Sequence, residues 1–156
     1  MALRCPGRGR APAEAGEPVG DVKISYSPLS ALQLSAERVP ALVDEVPLLA
    51  VLAASARGES VLEGLGELRL KESDRLEGIA AGLRAMGAKI EIRNDALVIQ
   101  GPTRFRGAAL KTLADHRLAM AFTVANLAAE GDGTIDDAEC VAISFPSFFK
   151  SLESLT

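Results

Sequence analysis

The sequence predicts a mixed α/β (α+β) fold built from repeated β-α-β-α-β-β units, and three patterns carry that expectation. Short alternating apolar and polar runs recur, as in Ala88-Lys-Ile-Glu-Ile-Arg. Longer runs rich in Ala and Leu lie between them. One phrase joins the two, helix then glycine then strand, at Gly58, Gly87 and Gly131.

Taken in order, Val22-Lys-Ile-Ser-Tyr-Ser alternates and stops before Pro28, which reads as a strand. Residues 46–57 are too long and Ala-rich for a strand; Pro47 in the first turn and Gly58 beyond the end mark a mostly buried helix. Ser60-Val-Leu-Glu-Gly-Leu is a short strand. A helix over 74–86 opens at Ser73 or Asp74, carries Leu76, Ile79, Ala80, Leu83 and Met86 as its apolar stripe, and stops at Gly87. Residues 88–100 form a hairpin turning at Asn94-Asp95 and ending at Gly101-Pro102. A second unit starts near Gly107 with a weak strand. A helix over 116–130, a strand at Thr134-Ile-Asp and a last helix from Pro146 complete what is present of it.

Composition narrows the function classes. The chain has 156 residues, within the range of one domain, with 48% hydrophobic and 24% charged residues. Aromatics are 4% and Trp is absent, so the core is expected to be Ala, Leu, Val and Ile. A formal charge of −4 provides no basic field for nucleic acid. No uncharged apolar run approaches the ~20 residues that span a bilayer. Cys5 and Cys140 lack any CxxC or His spacing and read as reduced thiols of a cytoplasmic protein. His116 is the one histidine, which excludes a multi-histidine metal centre. Residues 1–15, rich in Arg, Gly and Pro at the start, read as a disordered or non-native leader to a domain over 16–156.

Chemistry-bearing residues collect at three helix entrances: Asp44 and Glu45; Lys71-Glu72-Ser73-Asp74-Arg75; and Asp115-His116-Arg117. Asp74 and Asp115 have a plain role as helix caps, and Asp74 with Glu77 resembles a capping box. Arg75 and Arg117 are harder to place, because a cation in a first turn opposes the helix dipole and weakens the fold unless an anion offsets it. Two arginines and Lys71 at equivalent entrances fit a shared small anion; a solvated charged surface is the alternative at this level.

Several phrases resemble the 5-enolpyruvylshikimate-3-phosphate synthase family, in order and rough spacing. They are Val39-Pro-Ala-Leu-Val-Asp-Glu-Val-Pro-Leu-Leu-Ala, Lys71 to Arg75, Asp115-His-Arg-Leu-Ala-Met and Ser144-Phe-Pro-Ser-Phe. Gly16-Glu-Pro-Val-Gly-Asp and Tyr26-Ser-Pro-Leu add to them, so the likeness runs over about 16–154. The UDP-N-acetylglucosamine enolpyruvyl transferases share the repeat architecture and are the alternative family. They do not normally carry this pair of charged motifs.

The resemblance implies the enolpyruvyl transferase fold, with about two of its six units present and the second incomplete. It implies transfer of the enolpyruvyl group of phosphoenolpyruvate to the 5-hydroxyl of shikimate 3-phosphate, a step of aromatic amino acid biosynthesis, with no metal or cofactor. Asp44 would take the hydroxyl proton and touch shikimate phosphate, and Glu72 would transfer protons at the reacting carbon. Lys71, Arg75 and Arg117 would bind phosphoenolpyruvate, with His116 and Asp115 supporting Arg117. Many relatives have a lysine where Ile143 stands. The basic residues and Ser-rich segment of the family's other domain have no counterpart, so the chain reads as a C-terminal fragment. By itself it is expected to be inactive without the N-terminal half. The remaining alternative is a truncated chain that binds anions without catalysis.

Overall fold

The computed structural model describes residues 2–4, 13–14, 17–18 and 23–155. Its short early strands are β1 (Ala2–Arg4), β2 (Ala13–Glu14), β3 (Glu17–Pro18) and β4 (Lys23–Ser25). β1 pairs antiparallel with β4, and β2 with β3. Most of the expected leader over 1–15 lies outside the described residues.

The body of the protein is a four-stranded sheet with helices on one face. Its strands are β5 (Gln33–Leu34), β6 (Gly58–Leu62), β7 (Lys89–Arg93) and β8 (Ala96–Gly101), in the order β5-β6-β8-β7. β5 runs parallel to β6, while β8 is antiparallel to both of its neighbours. Helices α1 (Val46–Ser55) and α2 (Arg75–Ala85) complete a β-α-β-α-β-β unit. Register decides which side chains enter the core. Ile90 opposite Ile99 and Ile92 opposite Leu97 meet the helices, while Lys89 opposite Gln100 lies on the open face.

The unit's first strand is not the expected one. β4 is exposed along its length, with Ile24 57% exposed and neighbouring Tyr26 94%, so its alternation has no apolar face to bury. Leu34, 3% exposed, supplies that face, and the Leu34 carbonyl accepts the Glu63 N–H at 2.9 Å. Two 3-10 turns, Ala36–Ala41 and Val43–Glu45, then lead into α1.

Beyond the hairpin come β9 (Ala109–Leu110), α3 (His116–Leu127), β10 (Thr134–Ile135) and α4 (Phe148–Glu153), with β9 and β10 parallel. The helix expected over 116–130 ends three residues early, and a 3-10 turn at Glu139–Ile143 precedes the last helix. The core is aliphatic as composition requires, with Phe105 and Phe122 as its buried rings. Gly82 lets α2 approach α3, since a Cβ there would overlap the Phe122 ring. The N-terminal ends of α1, α2 and α3 are joined by side chains, Arg75 bonding to Asp115 and Asp44, and Arg117 to the Asp44 carbonyl. Among the described residues no helix is long and apolar enough to cross a membrane.

Candidate functional site

Arg75 is the centre of the site. It opens α2, yet its side chain is only 1% exposed. Its Nε donates to Asp115 Oδ2 at 2.6 Å, Nη1 to Asp44 Oδ1 at 2.9 Å, and Nη2 to Glu72 Oε2 at 2.6 Å. Three carboxylates from three chain segments thus converge on one guanidinium. Its planar fork presents donors in those separate directions, as an ammonium could not. Burial pushes the Arg75 pKa down, but the hydrogen bond and charge of Asp115, with Asp44 and Glu72, outweigh this and raise it.

Asp115 serves as cap and counter-ion together. Its Oδ1 accepts the N–H groups of Arg117 (2.9 Å) and Leu118 (3.3 Å), closing the start of α3. Its Oδ2 accepts Arg75 Nε and the Ser73 hydroxyl (3.1 Å). Asp74 caps α2 by accepting the Glu77 N–H at 3.1 Å. So the capping roles expected for both aspartates hold, and Asp115 carries a second one.

Asp44 stands in the 3-10 turn before α1 with 47% of its side chain exposed. While Oδ1 holds Arg75, Oδ2 lies 3.8 Å from Arg117 Nη2. The carboxylate therefore bridges the two arginines. Arg117 Nη1 also donates to Glu45 Oε1 (3.1 Å) and to the Asp44 carbonyl (3.3 Å). Burial raises the Asp44 pKa, but the Arg75 hydrogen bond and the charges of Arg117, Arg75 and Lys71 prevail and hold it below the usual carboxylate range. Lys71 donates to Glu67 Oε1 at 2.6 Å, a bond that leads the causes holding its pKa above the ordinary lysine value.

The first-turn arginines are thus offset by the protein's own acids. The expectation that they weaken the ligand-free fold fails for Arg75, whose three nitrogens all have carboxylate partners. Arg117 is the more open of the two, with 29% of its side chain exposed. Support for Arg117 comes from Asp115 and Glu45; among the described residues the His116 ring makes no hydrogen bond to it. Beside this cluster lies a cleft of about 190 Å³ walled by Leu48, Arg117, Phe145 and Phe148. Ile143 is 76% exposed.

Sequence reading missed the turn that aims Asp115. Leu113 (φ 57°) and Ala114 (φ 55°) are consecutive left-handed residues, and the Asp115 N–H closes the turn on the Thr112 carbonyl at 3.0 Å. Asp136 pins it, its Oδ1 accepting the Thr112 N–H and hydroxyl at 2.8 Å each. Neither Leu nor Ala signals such a turn, which usually takes Gly or Asn. Ser73, which the sequence offers as an opening residue of the α2 helix, instead donates its hydroxyl to Asp115 Oδ2, and Asp74 is the cap.

Comparison with known proteins supplies the remaining facts. The family model described as EPSP synthase (3-phosphoshikimate 1-carboxyvinyltransferase) matches residues 15–152. A 3-phosphoshikimate 1-carboxyvinyltransferase of Synechococcus sp. (strain RCC307) is 49% identical over 141 residues, covering 90% of this chain and 32% of the relative. One from Alkaliphilus oremlandii is 43% identical over 141 residues, covering 90% and 33%. The chain therefore spans about a third of the length of these relatives. The structure of EPSP synthase from Acinetobacter baumannii superimposes with a TM-score of 0.89 at 35% identity, covering 98% of this chain and 35% of that one. The enolpyruvyl transferase NikO of Streptomyces tendae, with TM-score 0.62 and 24% identity over 82% of this chain and 28% of its own, shares the fold.

Proposed function

The chain belongs to the EPSP synthase (3-phosphoshikimate 1-carboxyvinyltransferase) family, and from that premise we propose that it carries one side of an enolpyruvyl-transfer site. The reaction joins the 5-hydroxyl oxygen of shikimate 3-phosphate to the central carbon of phosphoenolpyruvate. The methylene carbon gains a proton, and loss of phosphate and a proton then restores the double bond. Such chemistry needs a base at the hydroxyl, a proton carrier at the methylene and cations for the anionic groups.

One observation carries this reading: Asp44 and Glu72 share the Arg75 guanidinium at the junction of three helix entrances, with Arg117 beside them. Asp44, half-exposed, takes the hydroxyl proton. Glu72, 57% exposed in its side chain, exchanges protons with the methylene carbon. Arg117, with Arg75 behind it, binds the charged groups of phosphoenolpyruvate, and Lys71 is a further ligand. Asp115 orients Arg75 and the Arg117 backbone. His116, in the first turn of α3, borders the site.

Donors must converge from both sides of the substrates, so the partner is the rest of the relatives' length, and the isolated chain turns over no substrate. The buried free thiol of Cys140 fits a cytoplasmic location.

The experiment is reconstitution. Mixing this chain with the complementary N-terminal portion of a relative should produce phosphate from phosphoenolpyruvate and shikimate 3-phosphate. Asp44→Ala or Glu72→Ala should remove that activity while assembly persists. A properly assembled mixture without turnover, or with turnover indifferent to both changes, would refute the proposal and favour an anion-binding chain without catalysis.

A further inference from the structure

At the opposite end of α2 from Arg75 the chain gathers cations without acids. α2 has 11 residues, so its two ends lie about 16 Å apart. Where it stops, at Gly87, a cleft of about 510 Å³ opens between the hairpin and the segment that follows it. Its walls include Lys89, Arg104 and Arg106, with Gln100 and Thr103 as uncharged polar groups, and no acid.

Local structure sets these side chains in place. Lys89 and Gln100 are paired across β7 and β8 on the open face of the sheet. The segment beyond β8 is anchored twice. Its Thr103 N–H donates to the Ala54 carbonyl at 2.7 Å, and its Arg106 N–H to the Met86 carbonyl at 3.1 Å. Phe105, 2% exposed, turns into the core, so Arg104 and Arg106 on either side of it stand outward together.

The cations are not spent on the fold. None of the three has an ion-pair partner among the described residues, whereas Arg75 has three. Glu59 faces Gln100 from β6, and Glu130 meets Arg106 through the main chain, but neither lines the cleft. Nor do the cations cap α2, because the carbonyls of Gly82, Leu83, Arg84 and Met86 already accept backbone N–H groups.

We propose that this cleft is a second anion site, separate from the helix entrances, for a ligand bearing a diphosphate or longer phosphoryl chain. A single phosphoryl group brings a charge of about −1.5 to −2 at neutral pH, short of three cations. A diphosphate matches them, and its oxygens can be shared between the two arginine forks and the lysine. No aromatic ring lines the cleft, so a nucleobase finds nothing to stack on and recognition stops at the phosphoryl groups. Both anchored segments are held before the ligand arrives, which lowers the ordering cost of binding.

Amide chemical shifts of the isotopically labelled chain test this, in titrations with sodium pyrophosphate, sodium phosphate and adenosine diphosphate at constant ionic strength. Pyrophosphate should move residues 87–89 and 100–106 along a saturating curve, several-fold tighter than phosphate does. Adenosine diphosphate should bind there no tighter than pyrophosphate. Arg104→Gln combined with Arg106→Gln should weaken pyrophosphate by tenfold or more, the scale of lost charged hydrogen bonds at about tenfold each. Lys111→Gln with Lys150→Gln removes the same charge from exposed lysines outside the cleft and should leave the affinity unchanged. Cleft shifts that rise without saturating, that phosphate matches, or that survive the double arginine change overturn the proposal. Markedly tighter adenosine diphosphate overturns the restriction to phosphoryl groups. Shifts confined to residues 43–47, 71–76 and 115–118 overturn the second site and leave the helix-entrance site standing.

Discussion

Arg75→Ala should unfold the protein more easily, although Arg75 belongs to the proposed ligand site. Removing the side chain leaves Asp115, which is 0% exposed, without the Nε donor at 2.6 Å. Breaking a buried ion pair from one side costs about 3–5 kcal/mol, because the remaining charge stays buried. Asp115 keeps the Ser73 hydroxyl and the two N–H groups of α3, so the lower end applies, about 3 kcal/mol. For a chain of this size that corresponds to a fall in Tm of roughly 6–12 °C. Asp44→Asn removes a partner of the same guanidinium from a half-exposed position and should cost less than about 1 kcal/mol. Urea unfolding followed by circular dichroism measures both, with an unchanged m-value as the sign that the native and unfolded states are comparable. The companion variant Asp115→Asn keeps a capping oxygen and removes the charge. Combined with Arg75→Ala it should lose less than the sum of the two single changes. Additive losses, or an Arg75→Ala protein within about 0.5 kcal/mol of native, would refute the reasoning.

Asp136→Asn should lower stability at neutral pH by about 1–2 kcal/mol through its bonds to Thr112. Those bonds, the Thr112 N–H first, hold the Asp136 pKa below its unfolded value, so its contribution is complete above that value and is lost as pH falls through the folded one; the variant's deficit should shrink in acid. Gly82→Ala should destabilise by about 1–3 kcal/mol despite better helix propensity, because its methyl meets the Phe122 ring; a melt at or above native would contradict that packing. Ala114→Gly should raise the melting temperature by the equivalent of about 0.5–1 kcal/mol, since it relieves a left-handed φ at an exposed position; a lower Tm would count against strain in that turn.

Much of this was legible in the sequence because period and punctuation were local. The stripe from Leu76 to Met86 and the positive φ of Gly87 (94°) define the end of α2, and the Asn94-Asp95 turn defines the hairpin. The first sheet strand was not legible. Gln33–Leu34 is two residues long and is fixed by pairing with a strand more than twenty residues away. The alternating segment at Lys23–Ser25 offered the stronger pattern but has no buried face. At the site, the charged residues could be named from their helix entrances. Their mutual pairing could not, since Arg75 with Asp115 and Asp44 is a long-range contact that depends on how α1, α2 and α3 converge. For that reason the dipole of α2 alone does not set the environment of Arg75, whose neutralising acids come largely from two other segments.

The central claim is that three helix entrances form one anion site. The most direct measurement is a titration of isotopically labelled chain with phosphoenolpyruvate, followed by amide chemical shifts in nuclear magnetic resonance. The account predicts that the largest changes gather at residues 43–47, 71–76 and 115–118, and that Arg117→Ala abolishes them while the remaining spectrum stays folded. Shifts centred elsewhere, or shifts that survive Arg117→Ala unchanged, would contradict it.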